Sequence, residues 1–212
     1  MDHEKRRLDV LKSYDLLDTP AEKVFDDLTA LAATLCQVPI SLVSLVDQHR
    51  QWFKSRQGLD ATETPRDMAF CHHAIRRDEV MVVEDATNDP RFEDNPLVTG
   101  DPNIRFYAGA PLEMESGYRI GTLCVIDQVP RSLDDDQLRA LEVLRNAVVA
   151  HVELRGARLV TICAWCSNML RDEHTGRHTD WQSWQKYLAD TCSVTHGICP
   201  RCLELQRQKL SP

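Results

Sequence analysis

Apolar residues recur every three or four positions over residues 3–17, where Leu8, Leu11 and Leu16 or Leu17 fall near one stripe. An α-helix turns once per 3.6 residues, so this spacing predicts an amphipathic helix. Asp18-Thr19-Pro20 ends it and opens a second helix. Thr19 is the expected N-cap, Pro20 the first helical residue, and Glu22 the partner that completes a capping box. Val24, Phe25, Leu28, Leu31, Ala32 and Leu35 then form a broad face expected to be buried. After Pro39 the period changes. Residues 40–46 are a run of mostly branched apolar side chains, which predicts a strand covered on both faces. Residues 47–50 read as a turn. Residues 51–56 alternate, with Trp52 and Phe53 on opposite sides, and complete a hairpin.

The pattern continues with a short helix near residues 69–76 and a strand at 80–83. A long polar loop at 88–100 precedes two strands at 104–112 and 120–126. Ser132 is the expected cap of a long helix reaching about residue 158. Asp134, Asp135 and Asp136 suit its positive start, and Leu141, Leu144, Val148 and Val152 line one side. Helices at both ends of a run of short strands predict an α+β domain with a mostly antiparallel sheet.

Charge narrows the function classes. The chain carries a formal net charge of −8, and residues 1–158 hold 19 Lys and Arg against 28 Asp and Glu. Phosphate binding needs a basic stripe, and none is present, so nucleic acid is not an expected partner. The start of the chain is charged and lacks an apolar leader, and no run approaches the roughly 18 apolar residues of a membrane span. The expected location is the cytoplasm, without a membrane partner.

Cysteine usage divides the chain. Cys36, Cys71 and Cys124 are scattered, whereas Cys163, Cys166, Cys192, Cys199 and Cys202 crowd into the last quarter. Cys163-Ala164-Trp165-Cys166 and Cys199-Pro200-Arg201-Cys202 form two Cys-x-x-Cys turns. Each turn presents two thiolates at one point, and four soft ligands suit a closed, structural tetrahedral zinc site. The expected organisation is therefore a sensor domain at residues 1–158 and a zinc-ribbon-like module at 159–212, with Trp181, Trp184 and Leu188 supplying its small core. Three alternatives stand beside four-cysteine zinc. His196 replaces one cysteine, with Cys192 spare; the thiolates hold an iron–sulfur cluster; or one pair is a redox dithiol.

Several stretches, taken in order, resemble the bacterial GAF domain family over residues 1–158. They are YDLLDTP from Tyr14, FDDLTAL from Phe25, VPISLVSLVD from Val38, QWFKSRQGL from Gln51 and ETPR from Glu63. AFCHHAI from Ala69, RFEDNPLVTG from Arg91, RFYAGAPL from Arg105 and IGTLCVIDQVPR from Ile120 follow. The resemblance implies an antiparallel sheet between helices and a ligand pocket under the loops on one face. Placed in that arrangement, Phe70, Cys71, His72, Asp94, Asn95, Phe106 and Ala108 border the pocket. It also implies that the first and last helices pair, often in a homodimer. The tail, with ICAWC and THGICPRC, resembles a segment at the end of some bacterial sensor proteins.

The function expected is small-ligand sensing or regulation in bacterial signal transduction, exerted through a partner protein or dimerisation rather than by catalysis. Two other readings stand beside it. One is a redox enzyme or redox sensor using Cys71 or Cys124, similar to GAF-type methionine sulfoxide reductases. The other is a zinc-dependent interaction adaptor centred on the tail. Cys71-His72 also resembles a bilin attachment dipeptide, although it falls early in the chain for that role. The plain alternative for both cysteines is core packing, since free cysteine is among the most buried residue types.

Overall fold

The structure, a computed structural model, describes residues 2–156 together with the backbone of three strands at 158–163, 169–172 and 192–197. The chain divides into two compact units, Met1–Glu153 and Leu154–Pro212.

The first unit is built on six strands: β1 (Ile40–Val46), β2 (Arg50–Gln57), β3 (Glu63–Pro65), β4 (Met81–Val83), β5 (Phe106–Glu113) and β6 (Arg119–Asp127). They form one sheet in the order β3-β2-β1-β6-β5-β4, and every neighbouring pair is antiparallel. Five helices accompany it: α1 (Asp2–Ser13), α2 (Lys23–Cys36), α3 (Phe70–Ala74), α4 (Pro96–Thr99) and α5 (Asp135–Gly156).

Alternation along the strands separates two cores. On one face Val43, Leu45, Trp52, Phe106, Ala108 and Val125 pack with Leu11, Leu16, Phe25, Ala32, Leu141, Val148 and Val152 of the helical layer. On the other face Leu42, Phe53, Tyr107, Cys124 and Ile126 pack with Phe70, Cys71, Phe92 and Val98 under α3, α4 and their loops. Trp52 and Phe53 therefore do lie on opposite sides. The alternation breaks just after them. A bulge at Val43/Ser44 pairs Val43 with Ser55 and Ser44 with Phe53, leaving Lys54 without a cross-strand partner. Both Lys54 and Ser55 then reach the α2 side: Lys54 Nζ donates to Thr19 Oγ1 and the Pro20 carbonyl, and Ser55 Oγ donates to Asp26 Oδ1.

Three expected helix details change. α2 begins at Lys23, with Glu22 before it making no side-chain cap. Thr19 donates instead to the Leu16 carbonyl, and Glu22 faces Lys54 across 2.6 Å. The buried face of α2 is Phe25, Thr29, Ala32, Ala33 and Cys36, while Val24, Leu31 and Leu35 are exposed. The helix is rotated so that its small residues lie against the sheet. At α5, Asp134 rather than Ser132 caps the start. Its carboxylate accepts from Gln137 N, and its own N–H donates to Gln137 Oε1, a reciprocal capping box. Leu141, Leu144, Val148 and Val152 are buried as the spacing predicts.

The second unit contains β7 (Arg158–Cys163), β8 (Met169–Asp172) and β9 (Cys192–Gly197). β7 is central, antiparallel to β8 and parallel to β9. This mixed sheet does not support the expected zinc-ribbon-like fold. Cys166, Cys199 and Cys202 lie outside the described residues.

Candidate functional site

Polar side chains inside apolar strands mark the site. Ser44 of β1 lies opposite Thr122 of β6, and Leu42 opposite Cys124. All four side chains are buried. α3 crosses above them and lowers Cys71 onto the pair. Ser44 Oγ lies 3.1 Å, Thr122 Oγ1 3.0 Å and Tyr107 Oη 3.3 Å from Cys71 Sγ, each placed to donate to it. Cys124 Sγ is 3.9 Å away, and Ser44 and Thr122 hydroxyls lie 3.1 Å from each other.

Burial pushes the Cys71 thiol up, but the donors from Cys124, Ser44, Thr122 and Tyr107 outweigh it and hold the thiol down to about 7. Cys124 moves the other way, well above the ordinary thiol range, because its hydrogen bond to Cys71 and its burial both favour the protonated form. Burial, with the two sulfurs beside it, likewise keeps the Tyr107 phenol protonated. The arrangement is one thiol whose ionised form is favoured by neutral donors, with no cation in the network among the described residues.

Cys71 forms part of the wall of a cavity of about 130 Å³. Ile40, Leu42, Phe53, Phe70, Ile104 and Ile126 make most of its surface apolar, and the exposed residues Ala61 and Asp101 bring it to solvent. Phe70 is fixed by stacking on Phe92 at 3.9 Å between ring centres. Two residues of the wall each carry a polar atom without a partner. Gln51 of β2 and Thr64 of β3 are cross-strand partners. Both line the cavity, and Gln51 Oε1 and Thr64 Oγ1 are buried with no hydrogen-bond partner. A buried carbonyl or hydroxyl oxygen without a partner is destabilising, and a bound group that donates to it removes that penalty.

The cavity includes only some of the residues expected around it. Phe70 and Cys71 line it. Phe106 and Ala108 face the opposite core, and Tyr107 between them faces the cavity, so the expected register on β5 is off by one residue. His72 does not line the cavity. Its Nδ1 accepts from Arg66 Nε at 3.0 Å, and Arg66 continues to Glu4, which also binds Arg7. Asp94 is exposed in its loop. Asn95 caps α4, accepting from Leu97 N and donating to the Met68 carbonyl. Tyr107, Ser44, Thr122, Gln51 and Thr64 were not expected at the site. Ser44 and Thr122 did carry a signal, as hydroxyls placed inside otherwise apolar strands.

A family model described as GAF domain matches residues 20–152. The chain belongs to the GAF domain family. Among known proteins this GAF domain is similar to the cyclic di-GMP phosphodiesterase PA2567 of Pseudomonas aeruginosa, at 44% identity over 158 residues. That match covers 74% of this chain and 27% of the Pseudomonas protein, so the chain corresponds to about a quarter of that relative. Two solved structures share the fold at low identity. The GAF domain of an Acinetobacter phosphoenolpyruvate-protein phosphotransferase aligns with a TM-score of 0.51 at 18% identity, covering 73% of this chain and 96% of that one. Free methionine-R-sulfoxide reductase from Neisseria meningitidis aligns with a TM-score of 0.52 at 19% identity, covering 70% and 89%.

Among the described residues, no group of three or more His, Cys, Asp or Glu side chains gathers in a way that could hold a metal ion. No helix among them is long and apolar enough to cross a membrane.

Proposed function

We propose that this chain is a regulatory GAF domain of bacterial signal transduction that binds a small, largely apolar molecule carrying a hydrogen-bond donor. The observation behind this reading is the pair of unpartnered oxygens, Gln51 Oε1 and Thr64 Oγ1, on two residues that line an otherwise apolar cavity. At about 130 Å³ the cavity suits a compact molecule. An apolar cavity near 150 Å³ accommodates benzene, so the ligand has on the order of five to seven non-hydrogen atoms. A donor on one edge would satisfy Gln51 or Thr64, while the body would rest on Phe53, Phe70 and Ile104.

The signalling context rests on the relative. Its name assigns cyclic di-GMP phosphodiesterase activity to the whole Pseudomonas protein, of which the matched part is about a quarter. This chain would correspond to a regulatory segment, acting through a partner protein or a second copy. The exposed apolar residues Val24, Leu31 and Leu35 on α2 support such a contact.

We also propose one structural zinc ion held by Cys163, Cys166, Cys199 and Cys202, which would supply folding energy to the small C-terminal unit. Parallel pairing of β7 with β9 sets Cys163 opposite Gly197, and Cys199 follows Gly197 by two residues in the sequence. Two residues of chain span at most roughly 7 Å, so the register is compatible with a shared ion.

Native mass spectrometry of the full chain, screened against small phenols, amines and alcohols, tests the ligand reading. The expected result is one bound molecule per chain, lost in Ala61→Trp, which fills the cavity mouth. Binding that survives Ala61→Trp unchanged would point to another site.

A further inference from the structure

The buried cysteine pair has chemistry that ligand sensing does not use. Cys71 and Cys124 place their sulfurs 3.9 Å apart, one from α3 and one from the centre of β6. Closing a disulfide needs an approach to about 2.05 Å, a shift of roughly 2 Å shared between two side chains. The sulfurs also differ in role. Cys71 forms part of the cavity wall, whereas Cys124 lies behind it, in contact with Cys71 but outside the cavity lining. Of the two residues, Cys71 alone belongs to the cavity lining, and Cys124 touches it from the sheet.

We infer that Cys71 and Cys124 form a peroxide-responsive thiol pair, in which Cys71 is oxidised through the cavity and Cys124 resolves it to a disulfide. The Cys71 thiolate attacks one oxygen of hydrogen peroxide and the O–O bond breaks. Cys71 becomes a sulfenic acid, and the departing hydroxide takes a proton to leave as water. The Cys124 thiol then loses its proton and attacks the Cys71 sulfur. The S–S bond forms as the S–O bond breaks, and that hydroxyl leaves with the proton as a second water. In sum, two thiols give up two electrons and one peroxide becomes two waters. Ser44, Thr122 and Tyr107 are positioning residues. Their hydroxyls favour the thiolate at Cys71, and the resolving thiol stays protonated until it is used.

Peroxide is far smaller than the ligand inferred for the cavity, so this chemistry needs the cavity as an entry path and not as a ligand site. Cys36 provides an internal control. It lies in the opposite core, with no cysteine among the residues clustered around it, and burial together with Asp134 pushes its thiol up to about 11.

The test uses the full chain, treated with hydrogen peroxide, unfolded in N-ethylmaleimide and digested with trypsin without reductant. Cys71 and Cys124 fall in separate peptides, residues 67–76 and 120–131. The expected product is these two peptides joined in most molecules, with Cys36 alkylated. In Cys124→Ser the reaction should stop at a Cys71 sulfenic acid, trapped by dimedone. In Cys71→Ser the Cys124 peptide should be recovered alkylated. Recovery of both wild-type peptides in the alkylated form, under peroxide that oxidises the unfolded chain, would overturn the inference. So would oxidation of Cys124 at the wild-type rate in Cys71→Ser. Phenol binding measured on the same protein separates the two readings: linkage without binding defeats the ligand reading alone, and binding without linkage defeats the thiol pair alone.

Discussion

The hydroxyl of Tyr107 occupies the space that a side chain on residue 109 would need: a Cβ built on Gly109 falls 2.1 Å from that oxygen. Both residues lie on the same side of β5, and the glycine lets the tyrosine ring lean along the strand until its hydroxyl meets Cys71 Sγ at 3.3 Å. Sequence position 109 thus controls the electrostatics of a sulfur on another element.

Gly109→Ala should destabilise the domain by about 1–3 kcal/mol through overpacking and should push the Tyr107 hydroxyl off Cys71. Tyr107→Phe removes the donor without the clash. In both variants the Cys71 thiol should titrate above its wild-type value of about 7. The readout is the rate of Cys71 alkylation by iodoacetamide against pH, whose midpoint should move upward. The same shift has a stability consequence. The folded thiol titrates below its ordinary value, so its contribution is complete above about pH 9 and is lost as pH falls through about 7. Wild-type stability should therefore rise between those limits more than that of Tyr107→Phe. The titratable neighbours Cys124 and Tyr107 both stay protonated in that range.

Acid should act through a different cluster. Burial, then Arg76 and Arg66, hold His72 down to about 4, so it folds neutral. Its contribution is complete above about pH 6.5 and is lost as pH falls towards 4. Glu4 is held down to about 2, chiefly by its hydrogen bonds from Arg7, so its contribution is present above about 4.5 and lost only below that. Urea unfolding of wild type at pH 7, 5.5 and 4.5 should show falling stability. His72→Gln should flatten this part of the profile.

Lys54 is a buried cation of the helical face. Its side chain is 1% exposed, paired with Glu22 Oε1 at 2.6 Å and held near the Phe25 ring. Glu22→Ala should cost about 3 kcal/mol, because a buried charge loses its carboxylate. Adding Lys54→Met to that variant should recover most of the loss in equilibrium denaturation. A double variant no more stable than Glu22→Ala alone would contradict the pairing.

The sequence made the fold legible where period and cap chemistry act locally. The branched run of β1, the opposed Trp52 and Phe53, and the Leu141 to Val152 stripe all depend on short-range spacing. It misled where a long-range contact intervened. Thr19 and Glu22 read as a capping box, but a bulge in β2 turned Lys54 towards them and took both side chains. Strand β5 was legible as a strand and not in its register, since residues 106–112 are apolar on both faces and alternation has nothing to contrast. That is why Phe106 and Ala108 were expected where Tyr107 lies. The orphaned oxygens of Gln51 and Thr64 had no local signal, because only the finished sheet shows that nothing bonds them.

The cysteine-rich tail carries its own expectation. Protein purified without added metal should hold one zinc per chain by inductively coupled plasma mass spectrometry. Cys163→Ser, Cys166→Ser, Cys199→Ser or Cys202→Ser should each lower that value, whereas Cys192→Ser should not. A metal content unaffected by any of the first four would reject the four-cysteine site.

If the cavity binds a compact apolar molecule through a donor aimed at Gln51, its methyl groups report the event. Methyl NMR of the full chain, titrated with phenol and separately with benzene, tests it most directly. Phenol should shift the methyl signals of Ile40, Leu42, Ile104 and Ile126 and leave those of the helical core, such as Leu141 and Val148, in place. Phenol should bind about 2–10 times more tightly than benzene, the worth of one hydrogen bond. Gln51→Leu should erase that preference while keeping benzene binding. Equal affinity for the two probes, or shifts in the helical core instead of the cavity, would contradict binding at Gln51.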